Sequence, residues 1–231
     1  MSEVFFRFPH TPHLAWLGQG SPRGDKVLTP KQVSALLADA VVVEEKLDGA
    51  NLGLSVSPQG ALRAQNRGQY LVEPFVGQFS RLGPWLAQRR RALLDHLTPG
   101  LILFGEWCAA RHSLDYAGLP DWYLVFDVYD REAGQFWDTV RRDALVKTLG
   151  LECVPTLHRG MVTQASLRAL LESTQSCYRS GPPEGIVIKR EGGGWTLSRA
   201  KLVRAEFTQA IGAHWRNRSI EWNRVAISGR R

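Results

Sequence analysis

The stretch Glu44-Glu45-Lys46-Leu47-Asp48-Gly49-Ala50-Asn51 holds the residues best placed for covalent chemistry. An apolar run, Val41-Val42-Val43, precedes it and residues 52–56 follow it, both with strand character. Asp48-Gly49 is a turn signal, which places Lys46 where a strand meets a turn, its amine facing a cleft. A lysine so placed is either an ordinary solvated cation or a nucleophile. Lys-x-Asp-Gly alone turns up by chance in roughly one chain in twenty of this length, so the motif decides little by itself. What strengthens it is an ordered series of charged and aromatic residues on later strand-like segments. These are Arg67 in Gln65-Asn66-Arg67, Glu106 in Phe104-Gly105-Glu106-Trp107, Phe126 in Val125-Phe126-Asp127, Glu184 and Lys189 in Glu184-Gly185-Ile186-Val187-Ile188-Lys189, and Lys201 and Arg204 in Lys201-Leu202-Val203-Arg204. Singly, each has a bland alternative: a surface carboxylate at a strand end, a core aromatic or a solvated cation.

The elements that must hold these residues are legible in part. Thr29-Pro30-Lys31-Gln32 predicts a helix start, with Thr as N-cap, Pro in the first turn and Gln three residues after the cap. Val33, Leu36, Leu37 and Ala40 continue it at helical spacing, and strands follow at 41–45, 52–56 and 61–65. A short helix is expected around Phe75–Leu82 and another from Pro84, burying Leu86, Leu93, Leu94 and Leu97. Arg89-Arg90-Arg91 lies on that second helix, either as a solvated face or as a nucleic-acid backbone contact. Residues 101–107 and 122–129 predict central strands. Asp138 predicts a cap for a helix ending at Gly150, and 163–176 a further helix. Late strands are expected at 185–189 and 200–204, joined through Gly192-Gly193-Gly194, with a final helix over 207–218. Strands mixed with helices and hairpins argue for one α+β domain spanning residues 1–231, built on antiparallel sheets. Its last part, 208–231, is a short tail of interleaved basic and aromatic residues: Trp215, Arg216, Arg218, Trp222 and Arg224. Such a tail either cradles RNA or packs its tryptophans back on the core.

Composition narrows the classes. With 231 residues, 44% hydrophobic and 22% charged, the chain is long enough for one large core. No apolar run approaches the ~20 residues of a membrane span, and the start lacks a secretory signal, so a cytoplasmic, monomeric protein is expected. Three widely spaced cysteines offer neither a disulfide framework nor a Cys-x-x-Cys metal pair. His10 and His13 have no carboxylate or thiol nearby in sequence to complete a metal site. A net charge of +7 favours polyanionic partners.

In order, Lys46, Arg67, Glu106, Phe126, Glu184 and Lys201 resemble the motifs of the covalent nucleotidyltransferases: ATP-dependent RNA and DNA ligases and mRNA capping enzymes. Asn51 brings the likeness nearest to ATP-dependent RNA ligases of the nick-sealing type, and the resemblance spans residues 41–207. It implies a nucleotidyltransferase fold (the ATP-grasp-like ligase adenylation domain), antiparallel sheets flanked by helices, with no OB-fold. It also implies ATP with Mg²⁺ or Mn²⁺ as cofactors. RNA ends, in a nicked duplex or a broken loop, are the implied partners, with DNA and a repair protein as further ones. Lys46 would carry AMP as a phosphoramidate, Glu45 would read the adenine, and Asp48 and Asn51 would organise the turn and contact phosphate or metal. Arg67 would hold the ribose or the incoming 5′-phosphate, Glu106 the ribose hydroxyls, Phe126 the adenine face and Glu184 the metal. Lys201 would contact the α-phosphate, and Lys189 the nucleotide or substrate. The implied rivals are a DNA ligase core, a GTP-dependent capping guanylyltransferase, or a binding module that has lost catalysis.

For Lys46 to attack, its amine must be neutral, although free lysine titrates near ~10.4. Bringing that to about 7–8 costs on the order of 4 kcal/mol, and Lys201, Arg67 and a metal are the cations expected to supply it. Two departures from the family pattern stand out. Val203 occupies the place of a second lysine often found two residues after the Lys201 equivalent, leaving Arg204 as its substitute, though a guanidinium is not a lysine point charge. Only 24 residues follow Phe207 (231 − 207), too few for the C-terminal domains of larger relatives.

Overall fold

The structure, a computed structural model, describes residues 4–20, 22, 26–209 and 220–226. Its helices are α1 (Pro30–Leu36), α2 (Leu82–His96), α3 (Thr139–Thr148), α4 (Gln164–Ser173) and α5 (Ala205–Gln209). Its strands are β1 (Val41–Lys46), β2 (Ala50–Val56), β3 (Leu62–Gln65), β4 (Tyr70–Leu71), β5 (Leu101–Trp107), β6 (Tyr123–Asp130), β7 (Gln135–Phe136), β8 (Glu152–Cys153), β9 (Thr156–Gly160), β10 (Gly185–Gly192) and β11 (Trp195–Val203).

Local chemistry explains most starts and stops. Thr29 and Gln32 close a reciprocal capping box on α1. Asp138 caps α3 by accepting from Arg141 N, and Thr163 caps α4 by accepting from Ser166 N. The expected helix around Phe75–Leu82 is only one 3₁₀ turn, Gly77–Phe79, and α2 begins at Leu82, two residues before Pro84. That fits proline in a first turn, where its missing N–H has no partner to lose. Of the arginine triplet, Arg89 pairs with Asp121 at 2.7 Å, while Arg90 and Arg91 are exposed.

The strands form two sheets. One is four-stranded, ordered β11-β10-β1-β9; the other is seven-stranded, ordered β4-β3-β2-β5-β6-β7, with β8 beside β6. Every strand pairing is antiparallel except β6 with β8. Helices cover the outer faces. Val33 and Leu36 of α1 and Leu167 and Leu171 of α4 pack on Val41, Val43, Ile186 and Ile188. Leu82, Trp85, Leu86 and Leu93 of α2 pack with Leu52, Leu54, Leu103 and Val125. Each such side chain, fully buried, stabilises the fold by roughly 1.5–3 kcal/mol. The inner faces are left to form a cleft.

Three connections fix the two walls. Residues 47–49 carry the chain from β1 in one sheet to β2 in the other, so Lys46, the last residue of β1, stands at the corner. The amino-terminal segment runs from one sheet to the other: Gln65 Nε2 donates to Phe6 O, and Leu14 N donates to Lys201 O on β11. The third is residues 220–226, which thread along the loop after β5. Asn223 is buried, its amide donating to Cys108 O at 2.8 Å while its oxygen accepts from Tyr116 N at 2.9 Å. Trp222 of the tail packs on the core with Arg81 over its ring at 4.1 Å. Trp215, Arg216 and Arg218 lie outside the described residues, as does most of the helix expected over 207–218; Phe207 belongs to the short α5. No helix among the described residues is long and apolar enough to cross a membrane.

Candidate active site

Strand alternation decides which residues of the Lys46 strand meet the cleft. Val41 and Val43 point to the helices, and Glu44 and Lys46 to the opposite face. The pairing of β1 with β10 and β11 puts Val187 and Lys201 in one row with Glu44, and Gly185 and Val203 in one row with Lys46. The facing sheet contributes Asn51 of β2, which pairs with Glu106 of β5. Glu44, Lys46, Asn51, Glu106, Val187, Lys201 and Val203 line, with Arg67, Phe126, Glu184 and Lys189, a cleft of about 1070 Å³.

At its centre Lys46 Nζ lies 2.5 Å from Glu184 Oε2. Glu106 faces the same amine, and its Oε1 accepts from Gly49 N at 3.0 Å. That approach explains the Asp-Gly dipeptide: a Cβ on residue 49 would stand 2.6 Å from Trp107 O. The carboxylates set the electrostatics. Burial opposes the charged amine, yet Glu184, Glu106 and Asp48 hold Lys46 above its ordinary value. The expectation that nearby cations lower it is therefore corrected for the chain by itself, because the closest charges are carboxylates. Burial, reinforced by Glu184 and Asp48, raises Glu106 to about 7, and burial raises Glu184 as well.

Phe126 owes its position to a β-bulge. Phe104 pairs with Asp127 and Gly105 with Val125, leaving Phe126 as the extra residue, so both Phe126 and Asp127 line the cleft. Its carbonyl accepts from Arg142 Nη1 at 2.8 Å and Lys189 Nζ at 2.5 Å. The ring stands edge-on to Phe8, with Val187 also lining this part of the cleft. Beneath it runs a buried ion network. Arg142 pairs with Glu44 at 2.5 Å, Lys189 with Glu44 at 2.8 Å and with Asp127 at 3.0 Å, and Arg199 with Asp127.

Several predicted residues have other employment. Lys189 is 2% exposed and belongs to this network, so its charge is already matched before any nucleotide arrives. Glu45 accepts from Ser176 Oγ at 2.5 Å and Cys177 N at 3.0 Å, so both its oxygens hold the loop before β10. Asp48 Oδ2 accepts from Ser113 N and Leu114 N, at 2.7 and 2.8 Å, organising a loop across from the turn and lying outside the cleft lining. Arg204 pairs with Glu206 at 2.8 Å and donates to Leu171 O, so it does not replace a second lysine in the cleft; its backbone N–H holds Glu184 O. His112 and Val187 line the cleft without having been singled out in the sequence, and so do His10 and His13, which the sequence marks only as an incomplete metal pair. Alternation from Lys189 could have found Val187; nothing local marks His112.

The donors suit a hard cation. Glu184 and Glu106 offer carboxylate oxygens, the donor type that Mg²⁺ prefers, and burial raises the pKa of both. Asn51 Oδ1 is buried with no hydrogen-bond partner among the described residues. No cluster of three His, Cys, Asp or Glu side chains able to hold a metal occurs among the described residues, so an ion here would take ligands from substrate or water as well, as Mg²⁺ does.

The model of the RNA ligase family matches residues 39–203, well over half of the chain. None of the curated proteins compared matches. Among solved structures, an archaeal ATP-dependent RNA ligase is similar with 24% identity and a TM-score of 0.60, covering 87% of this chain and 49% of its own. The RNA ligase of Naegleria gruberi with PPi shows 19% identity and a TM-score of 0.60, over 78% of this chain and 54% of its own. A mutant of that ligase with ATP and Mn gives 19% identity and a TM-score of 0.58. The chain thus spans about half the length of the structures it matches, and the likeness is one of fold.

Proposed function

The chain belongs to the RNA ligase family, and from that premise we propose that it is the adenylation domain of an ATP-dependent ligase joining RNA 5′-phosphate and 3′-hydroxyl ends. The observation that carries the reading is Lys46 at the corner between two sheets, its amine against Glu184 and facing Glu106, in a cleft that also holds Phe126, Val187 and Lys201.

In this reading Phe126 and Val187 receive the adenine between an aromatic and an aliphatic surface. Lys46 Nζ attacks the α-phosphorus of ATP; an N–P bond forms and the bond to pyrophosphate breaks. An oxygen of the RNA 5′-phosphate then displaces the lysine, giving an RNA-adenylate, and the 3′-hydroxyl displaces AMP. Lys201, on the cleft face of β11, offsets charge at the α-phosphate. Glu106 accepts from the ribose hydroxyls, and Asn51 uses its unpartnered oxygen on the phosphate side. Mg²⁺ or Mn²⁺ held by Glu184 would neutralise the triphosphate and draw from Lys46 the carboxylate that keeps its amine protonated. Arg67 lines the same cleft as a phosphate ligand.

The test is transfer of label. With α-labelled ATP and Mg²⁺ the denatured protein carries an acid-labile, alkali-stable adduct, which Lys46→Ala lacks. Label from GTP alone would point to a capping-type enzyme, and label from neither to a binding module. Phe126→Ala should raise the KM for ATP and Phe126→Trp should recover most of it, since either ring offers a stacking face.

A further inference from the structure

The amino-terminal segment does more than tie the sheets together. It is held at one end by Gln65 Nε2 donating to Phe6 O at 2.8 Å, and at the other by Lys201 N donating to Pro12 O at 2.9 Å. Between these anchors Phe8 is buried against Phe104, Phe126 and Phe136, while His10 is exposed and lines the cleft. Arg67 meets it from the β3–β4 turn, whose backbone is fixed by Asn66 Oδ1 accepting from Gly68 N and Gln69 N at 2.8 and 2.9 Å. Arg67 Nη1 and His10 Nδ1 stand 3.5 Å apart, the long limit for a hydrogen bond. Arg67 Nε is buried with no hydrogen-bond partner among the described residues. Two donor-bearing groups thus converge from two separately fixed backbones, and an oxyanion is an acceptor to which a guanidinium fork and an imidazole N–H could both donate.

We propose that His10 joins Arg67, read above as a phosphate ligand, to complete a two-sided phosphate subsite at the mouth of the cleft, serving the group that leaves or enters opposite Lys46. The proposal rests on the ligase reading above. Position supports it. Across the seven-stranded sheet the order is Phe126 on β6, Glu106 on β5, Asn51 on β2 and Arg67 just after β3. Three strand spacings place Arg67 roughly 14 Å from the Phe126 row, beyond Glu106. With the base at Phe126 and the α-phosphate at Lys46, the groups farther along are the β,γ-phosphates of ATP in the first step and the RNA 5′-phosphate in the second. Both are phosphate anions, and the cleft offers them the same place in turn.

The experiment uses the full chain with His10→Ala and His10→Lys. One arm measures lysine adenylylation against ATP concentration; the other takes pre-adenylylated protein and measures AMP transfer against the concentration of a 5′-phosphorylated nicked RNA. His10→Ala is expected to raise KM about tenfold in at least one arm, the size of one lost charge-assisted hydrogen bond, with kcat within about threefold. His10→Lys should bring that KM back to within about threefold of the wild-type value, which a purely structural role for the imidazole would not allow. A rise only with ATP assigns the subsite to the β,γ-phosphates, a rise only with RNA to the 5′-phosphate, and a rise in both to each in turn. Unchanged KM in both arms, or His10→Lys as impaired as His10→Ala, overturns the subsite alone. Wild-type protein that forms no lysine adduct overturns the ligase reading and takes the subsite with it.

Discussion

Replacing Arg142 tests the ion network on which the Phe126 platform rests. Arg142 and its partner Glu44 are each 1% exposed, so solvent cannot take over either role. In the native network Arg142, Lys189 and Arg199 face Glu44, Asp127 and Asp143, and Arg159 also stands 3.9 Å from Asp143. Arg142→Ala leaves Glu44 with Lys189 as its remaining cation, and Lys189 must also serve Asp127 and Phe126 O. Breaking a buried pair from one side costs about 3–5 kcal/mol, because the abandoned charge stays buried. At ~2–4 °C per kcal/mol for a domain of this size, the melting temperature should fall by roughly 6–20 °C. Urea unfolding followed by circular dichroism measures the loss. The double variant Arg142→Ala/Glu44→Gln should lose less than the sum of the singles, by about 0.5–3 kcal/mol. A single-variant loss below about 1 kcal/mol, or strict additivity, would refute the claim that this pair is electrostatically bound into the fold.

Three further outcomes are expected. Glu106 has a folded-state value raised from 4.5 to about 7. Such a group adds stability that is fully present below the lower value and is lost as pH rises through the upper one, so wild-type stability should fall relative to Glu106→Gln between about pH 4.5 and 7; parallel unfolding curves across that range would contradict it. Gly105→Ala would set a Cβ 2.6 Å from Leu124 O beside the bulge, and should cost ~1–3 kcal/mol while weakening ATP binding through a displaced Phe126. A variant with native stability and native KM would show that the bulge is not sterically required. Asn223→Ala removes hydrogen bonds to Cys108 O and Tyr116 N from a buried site and should cost roughly 1–3 kcal/mol. Hydrogen exchange in residues 108–119 should accelerate; unchanged exchange there would mean that the 220–226 segment does not hold this loop.

What the sequence revealed and what it withheld divide along physical lines. Lys46 at a strand–turn junction, the Thr29 and Asp138 caps and the β5 and β6 strands depend on neighbours within a few residues, and local pattern carries them. Convergence of Lys46, Glu106, Glu184 and Lys201 came from the order of motifs, since no periodicity reports contacts between residues 46 and 184. The orientation of Glu45, the burial of Lys189 and the engagement of Arg204 by Glu206 depend on partners far along the chain or across a turn, which no local rule names. The bulge at Phe126 is invisible because an extra residue in a strand leaves the apolar pattern almost intact. The charge of the Lys46 amine is illegible for a clearer reason: sequence order does not tell that Glu184, Glu106 and Asp48 lie nearer to it than the cations do.

The crossing amino-terminal segment has a consequence for how a nucleotide would be received. The sheets are joined at one end by residues 47–49 and bridged elsewhere by residues 6–14, so their separation is set when the chain folds. A ligand arriving between sheets tied in this way would spend less of its affinity on bringing them together than one that had to close two loose halves. Discrimination would then fall to the shape and charge of the slot those two joins define.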